Sequence, residues 1–548
     1  MSKTLSLVSL VLLAAHLGGC SRLHRSAPLR TPVAATASCA QPSKCGCTTS
    51  TCASCESCGC ASYKFLALHK YSLVDAPQQD RCPFTPGSGK VTGPSEPVKV
   101  NVLHPSIPTA HNGRHGQLTP EEMRIARAAW SYFENNYQPT TGMVNASDKY
   151  PSTTLWDQAS YVAALVSAFE LEIIDKANFD HRVLTLWTTM QKLSLFGGEL
   201  PNKAYNTMTA QAVDYANKPG EIGWSAIDIS RWLIWSQILK ERYPEFSNLV
   251  DQTVLRWKYC DVVRGGELFG AVKDASQPNG RMLVQEGRLG YEQYAAKGFA
   301  LWGFNTTVAA TAKPLEYIDI YGVKIPYDSR DPRQFGAHNY IVVENYVLDG
   351  IEFGWRQPYD RDNVDETATD AWAANMANLL YQVHERRYDA TGLLSARSEH
   401  QLDTAPYFVY DTVYADGYPW NTITDKGVYV PGSAAVSAKG AMGLWTLYET
   451  PYTDLLFRTV NSLAIDKEGI YEGLYENGRG PVKVYTANNN GIILSALLYK
   501  VQGRLLKWSG NASLWDHTVQ KTYGVNANCL PRSTCCSCSS SSSWSTVP

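Results

Sequence analysis

Two kinds of helical pattern alternate along the middle of this chain, and a sequence carrying both in alternation has few ways to fold. One kind is one-sided: Pro120–Asn135, Phe179–Leu195, Glu245–Tyr259, Asp365–Arg387 and Tyr452–Ile465 mix charges with apolar residues three and four apart. The other is apolar nearly all round and rich in small residues: Leu155–Phe169, Ser225–Leu239, Leu289–Trp302, Asn345–Phe353, Ser433–Tyr448 and Asn489–Val501. A helix apolar on every side has to be surrounded by other helices, whereas a one-sided helix lies outside with its charges in water. Six inner helices interleaved with at least five outer ones predict an all-α fold, an (α/α)6 toroid with irregular or strand loops, over 117–506. The sixth outer helix has no pattern of its own, because 304–343 is rich in Pro and Tyr and reads as irregular or strand structure.

The flanks differ in kind. Residues 1–20 hold Lys3, an apolar run from Leu5 to Leu17 and the tetrad Leu17-Gly18-Gly19-Cys20, too short to span a bilayer and matching a lipoprotein signal peptide with its lipobox. Cys20 is the expected lipidation site, and Ser21 after it points to outer-membrane attachment. Residues 21–116 read as a Cys/Pro/Ser-rich tether and 507–548 as a Cys/Ser-rich tail with a serine run at Ser539–Ser543; both ends are expected to be disordered. Twelve of the 14 cysteines lie in Cys20–Cys60 or Cys529–Cys538, leaving only Cys82 and Cys260 between, and in an exported chain disulfides are the default. A formal charge of -2 leaves no positive field for nucleic acid, so none is expected as a partner.

Several stretches carry a resemblance. They are Thr154–Tyr161, Glu199–Lys203, Gly223–Arg231, Gln285–Tyr294, Val343–Gly350, Ala396–Glu399 and Asn488–Ile493. Over 118–503 the chain resembles a bacterial domain family related to the glucoamylase-like glycoside hydrolases of (α/α)6 fold. The resemblance implies carbohydrate chemistry without fixing a substrate.

In a helical toroid the loops preceding the inner helices gather at one end, so residues there should share a cleft. Those positions hold Trp156 and Asp157, Trp224 and Asp228, Glu286 with Tyr291 and Tyr294, Glu344, Trp420, and Asn488–Asn490. Glycoside hydrolysis needs one protonated carboxyl and one carboxylate, with aromatic faces to stack on sugar rings. Glu286, in a glycine-flanked loop, is the expected acid and Glu344 its partner, with Asp157 next and Glu399 after it. Trp156, Trp224, Tyr291, Tyr294, Glu399, Trp420, Tyr475 and Asn488 are the expected substrate contacts. Each acid at a helix start also serves as a cap, and each aromatic as core. Asp228 and Arg231, three apart on an apolar helix, suggest a buried ion pair. Asp360, Asp362, Asn363 and Asp365 lack the Gly and Glu of a calcium loop, and no dinucleotide or phosphate motif occurs, so no metal or cofactor is expected.

The expectation is therefore a monomeric envelope lipoprotein that hydrolyses a glucan-like polysaccharide. Two alternatives remain: a polysaccharide lyase using Tyr291 or His338 as base, and a lipoprotein that binds exopolysaccharide without cleaving it.

Overall fold

Nearly every long helix of this protein starts on a side chain that takes up amides its first turn leaves free. Thr119, Thr154, Asp175, Ser225, Asp370, Ser437, Thr450 and Thr486 each accept from a backbone N–H of the turn that follows. The computed structural model describes residues 113–508, apart from 288, 313, 333–336 and 359–369, together with 513–521 and 530. The signal peptide, Cys20, nearly all of the tether, the Asp360–Asp365 segment and most of the tail lie outside the described residues.

In chain order the helices are α1 (Pro120–Asn136), α2 (Leu155–Glu170), α3 (Lys176–Met190), α4 (Ala226–Arg242), α5 (Ser247–Leu255), α6 (Tyr291–Leu301), α7 (Glu344–Phe353), α8 (Ala371–Thr391), α9 (Ala438–Leu447), α10 (Pro451–Leu463), α11 (Ala487–Gln502) and α12 (Leu514–Lys521). The all-apolar helices are the inner ones. Helix α2 packs on α4, α4 on α6, α6 on α7, α7 on α9, α9 on α11, and α11 returns to α2, which closes a ring. The one-sided helices lie outside it: α1 against α2 and α11, α3 against α2, α5 against α4, α8 against α7 and α10 against α9. Small residues set the ring's tightness. A Cβ on Gly298 would come within 2.1 Å of Ser230 Oγ, and one on Gly491 within 2.4 Å of the Ser160 carbonyl, so α6 meets α4 and α11 meets α2 almost backbone to backbone.

Short antiparallel strands fill the inter-helix connections, as expected of the loops, among them Leu315–Ile320 with Val323–Asp328, Glu267–Lys273 with Arg281–Gln285, His400–Gln401 with Phe408–Asp411, and Ala435–Ser437 with Gly473–Tyr475. The first of these hairpins occupies the patternless stretch and packs on α8. One expectation is corrected: the body extends past 506. Helix α12 docks on α5, Trp515 sets its ring edge-on against Trp302 at 4.9 Å and gives its indole N–H to the Trp302 carbonyl at 3.0 Å. Its backbone N–H bonds Asp251, which also holds Lys240. At the other end, Arg114 lies over Trp445 and pairs with Asp454.

Inside the ring, Arg231 is paired, but not with Asp228. Its guanidinium reaches Glu352 of α7 at 3.3 Å and Tyr294 OH at 3.0 Å, and it stacks on Trp156. Trp235 and Tyr294 donate to the two Glu352 oxygens. Residues 228 and 231 stand three apart, but Glu352 comes from the helix across the ring. Asp228 Oδ1 is left without a partner.

Candidate active site

The first turns of five inner helices meet in one polar cluster. Glu344 of α7 lies under its floor, and both of its oxygens are taken. Asn488 Nδ2 donates to one at 2.8 Å, while Lys439 Nζ, at 2.5 Å, and Ser398 Oγ, at 3.0 Å, hold the other. Asn488, on α11, in turn accepts the Trp156 indole N–H from α2 at 3.0 Å. Tyr291, first residue of α6, donates its hydroxyl to Glu399 at 2.6 Å. Helix N-termini carry partial positive charge, which is why so many carboxylates are tolerated together.

Above this floor opens a pocket of about 390 Å³ of atom-free space, part of it open to solvent, lined by Ala146, Trp156, Asp157, Glu399, His400, Gln401, Phe408, Lys439, Glu472, Thr486 and Asn488. Three carboxyls line it, each nearly inaccessible. Burial, reinforced by the Glu344 charge, pushes Glu399 up to about 8. Burial lifts Glu472 to about 7, against the pull of Lys439 and a hydrogen bond from Thr486. It lifts Asp157 less, to about 6, because the Thr154 hydroxyl and amide bind the Asp157 carboxylate in the cap of α2. Burial works against the Lys439 ammonium, but Glu344, Glu472 and Glu399 around it hold its pKa above the ordinary value. At neutral pH, environments that differ across one cavity thus keep one carboxyl protonated and another ionised.

Of the residues marked in the sequence, the structure brings Trp156, Asp157, Glu399 and Asn488 to the pocket wall, with Tyr291 and Glu344 directly behind it. Five others are elsewhere. Glu286 sits at the start of α4, its carboxylate accepting the Ala226 amide at 2.6 Å, the Ile227 amide and the Ser225 hydroxyl. Burial raises its pKa, but its work there is that of a helix cap. Trp224 is core, bonded to the Phe269 carbonyl and covered by Arg281. Tyr294 belongs to the Glu352 network, and Tyr475 donates to Asp403 with Arg479 3.7 Å from its ring centre. Trp420 has Arg387 at 4.3 Å and Arg397 at 5.6 Å from its ring, with Glu476 bridging the two guanidiniums, and it does not line the pocket.

Sequence reading missed Glu472, Lys439 and Gln401. Lys439 left a signal, since it is the one charge in the helix AKGAMGLWTL. Glu472 left none, for it lies in a strand connection well before the helix it serves. Among the described residues no group of His, Cys, Asp and Glu is arranged to hold a metal, and no helix is long and apolar enough to cross a membrane.

Residues 124–503 match the family model described as "Protein of unknown function (DUF3131)", and the chain belongs to that family. No curated protein matches the sequence. Among solved structures, a candidate glucoamylase from Bacteroides caccae superposes with a TM-score of 0.50 at 9% identity, covering 70% of this chain and 94% of that one, and the two share a fold. A candidate glucoamylase from Bacteroides uniformis gives 0.48 at 9% identity, covering 72% and 94%. An endo-β-1,2-glucanase from Chitinophaga pinensis, in complex with sophorotriose and glucose, gives 0.47 at 12%, covering 70% and 93%.

Proposed function

We propose that this DUF3131 protein is a glycoside hydrolase whose acid is Glu399 and whose base is Asp157, acting on a glucan-like polysaccharide. The observation that carries the reading is Glu399 itself: a pocket carboxyl pushed up to about 8, with Oε1 held by Tyr291 and Oε2 without any partner. A neutral carboxyl in a pocket wall with one oxygen unbonded is suited to proton donation to a glycosidic oxygen. Asp157, with the lowest pKa of the three lining carboxyls, is ionised at pH 7 and takes the proton of the attacking water. The fold shared with a candidate glucoamylase supports the same class.

The lyase alternative has less support. Tyr291 donates its hydroxyl to Glu399, and burial raises its pKa well above the ordinary value, the opposite of what a base needs. His338 is engaged by Asp416 and does not line the pocket.

Incubation of the purified chain with a panel of neutral α- and β-glucans tests the proposal. New reducing ends that vanish with Glu399→Gln are expected. Ends bearing a new ultraviolet-absorbing double bond would instead mean a lyase, and saturable binding without product would mean a binding protein.

The lipobox at Leu17–Cys20 supports attachment of the enzyme to the outer membrane through a lipid on Cys20, working there as a monomer. Cys20→Ala should move the protein from the membrane to the soluble fraction.

A further inference from the structure

Cys260 is held in a disulfide, and it is the one cysteine among the described residues. Its partner therefore belongs to Cys20–Cys82 or to Cys529–Cys538. The turn that carries Cys260 is pinned on several sides. The Lys258 amide bonds the Glu199 carbonyl at 3.0 Å, the Tyr259 hydroxyl donates to the Val254 carbonyl at 3.0 Å, and Asp261 pairs with Arg281. Cys260 itself stands exposed on this turn. A disulfide needs its two Cα atoms within about 4.4–6.8 Å, so the partner comes with a stretch of chain that passes beside a fixed point.

The two ends of the chain approach the ring on different sides. On the N-terminal side Arg114 lies over Trp445 of α9, and the Gly116 amide bonds the Lys500 carbonyl of α11. In the order of the ring α9 stands opposite α4, the helix on which α5 and the turn after it pack. The C-terminal chain, by contrast, comes to the cysteine. Helix α12 docks on α5, and Trp515 sets its ring edge-on, 6.3 Å from that of Tyr259, the residue beside Cys260. Past α12, Leu530 packs half-buried against the core. Cys529 immediately precedes Leu530, whereas Cys535, Cys536 and Cys538 stand further along the Cys/Ser-rich tail.

We propose that Cys260 is joined to Cys529, and that this bond is a clasp that fastens the C-terminal segment across α5 once the chain reaches an oxidising compartment. As the S–S bond forms, the two thiols give up two protons and two electrons. A protein disulfide of that compartment takes them up by thiol–disulfide exchange and leaves as a dithiol. The clasp completes what α12 begins. Trp515 fills its seat against Tyr259 and Trp302, and Lys240 holds both Asp251 and Ser513. In the reduced chain those contacts alone retain a helix of 8 residues, which is too short to persist by itself. The cross-link favours the docked state by limiting how far the released segment can stray.

The test uses the full chain, expressed into an oxidising compartment, purified without reductant, digested with trypsin and read by mass spectrometry. The tryptic peptides Tyr259–Arg264 and Thr522–Arg532 each hold a single cysteine, so a Cys260–Cys529 bond gives a mass that no other pairing shares. That mass is expected in the wild type and in Cys82→Ser, and it should vanish on reduction. Reductant should lower the melting temperature by about 5 °C. Cys529→Ser should reproduce that drop, and reductant should then have no further effect. A mass joining Tyr259–Arg264 to any other cysteine peptide, or a free thiol on Cys260, overturns the pairing. A Cys529→Ser chain that melts as wild type does overturns the clasp. The peptide masses come from the unaltered chain, so they decide the pairing even where a variant fails to fold.

Discussion

Two equally buried carboxyls of the ring, Glu352 and Glu399, differ in how their oxygens are bonded. Around Glu352, the carboxylate has Arg231, Trp235 and Tyr294 on its two oxygens, and every one of those partners is inaccessible to water. Around Glu399, the carboxyl has Tyr291 on one oxygen and nothing on the other, and Gln401 Nε2 nearby is likewise without a partner. A saturated buried network rigidifies a fold, while an unsaturated one facing a cavity stores binding capacity at the expense of stability. Bonding, more than burial or residue type, therefore separates Glu352 from Glu399.

The largest effect should come from Glu399→Gln, which keeps the shape and removes the proton: turnover should fall about 10³-fold or more. Stability should move the other way. The folded carboxyl titrates at about 8 and the ordinary value is 4.5, so the native state holds the extra proton and loses stability as pH rises from 4.5 through 8. The amide lacks that loss, and the variant should melt a few degrees higher than wild type at pH 8, read by calorimetry. A rate profile sharpens the same point. kcat/KM should climb as Asp157 ionises near 6, fall as Glu399 deprotonates near 8, and peak close to neutrality.

Glu352→Gln tests the saturated side. It leaves Arg231 buried without its counter-charge, and the unfolding free energy should drop by about 3–5 kcal/mol. An unchanged denaturant midpoint would erase the contrast between the two regions. Trp515→Ala should cost about 3 kcal/mol by emptying the seat among Tyr259, Trp302 and Phe304, and truncation at 506 should lower the melting temperature likewise. Glu286→Gln should have the smallest effect: about 1 kcal/mol from a weaker cap on α4, with reducing-end release retained. Loss of turnover in that variant, with its fold intact, would return Glu286 to the acid role.

The helical ring was legible because periodicity is a local signal. All six inner helices fall within a few residues of their apolar stretches, and α1 runs from Pro120 with its capping Thr119 in place. The site was half legible, for a related reason. Asp157, Glu344 and Asn488 stand where they were marked because the first turn of an inner helix can be read from its cap. Glu472 and Gln401 come from strand connections whose reach into the ring has no pattern along the chain.

What the sequence determined, then, is which helices are inside and which are outside, since burial on all sides demands an apolar surface on all sides. What only the tertiary structure decided is the job of each acid. Glu286, Glu344 and Glu399 are the same residue type in similar local settings. One binds the amides at the head of α4, one is neutralised by Lys439 and Asn488, and one is left neutral with an open oxygen. Those fates depend on partners that arrive from far along the chain, and a carboxyl's proton affinity follows from the charges and hydrogen bonds that surround it in space.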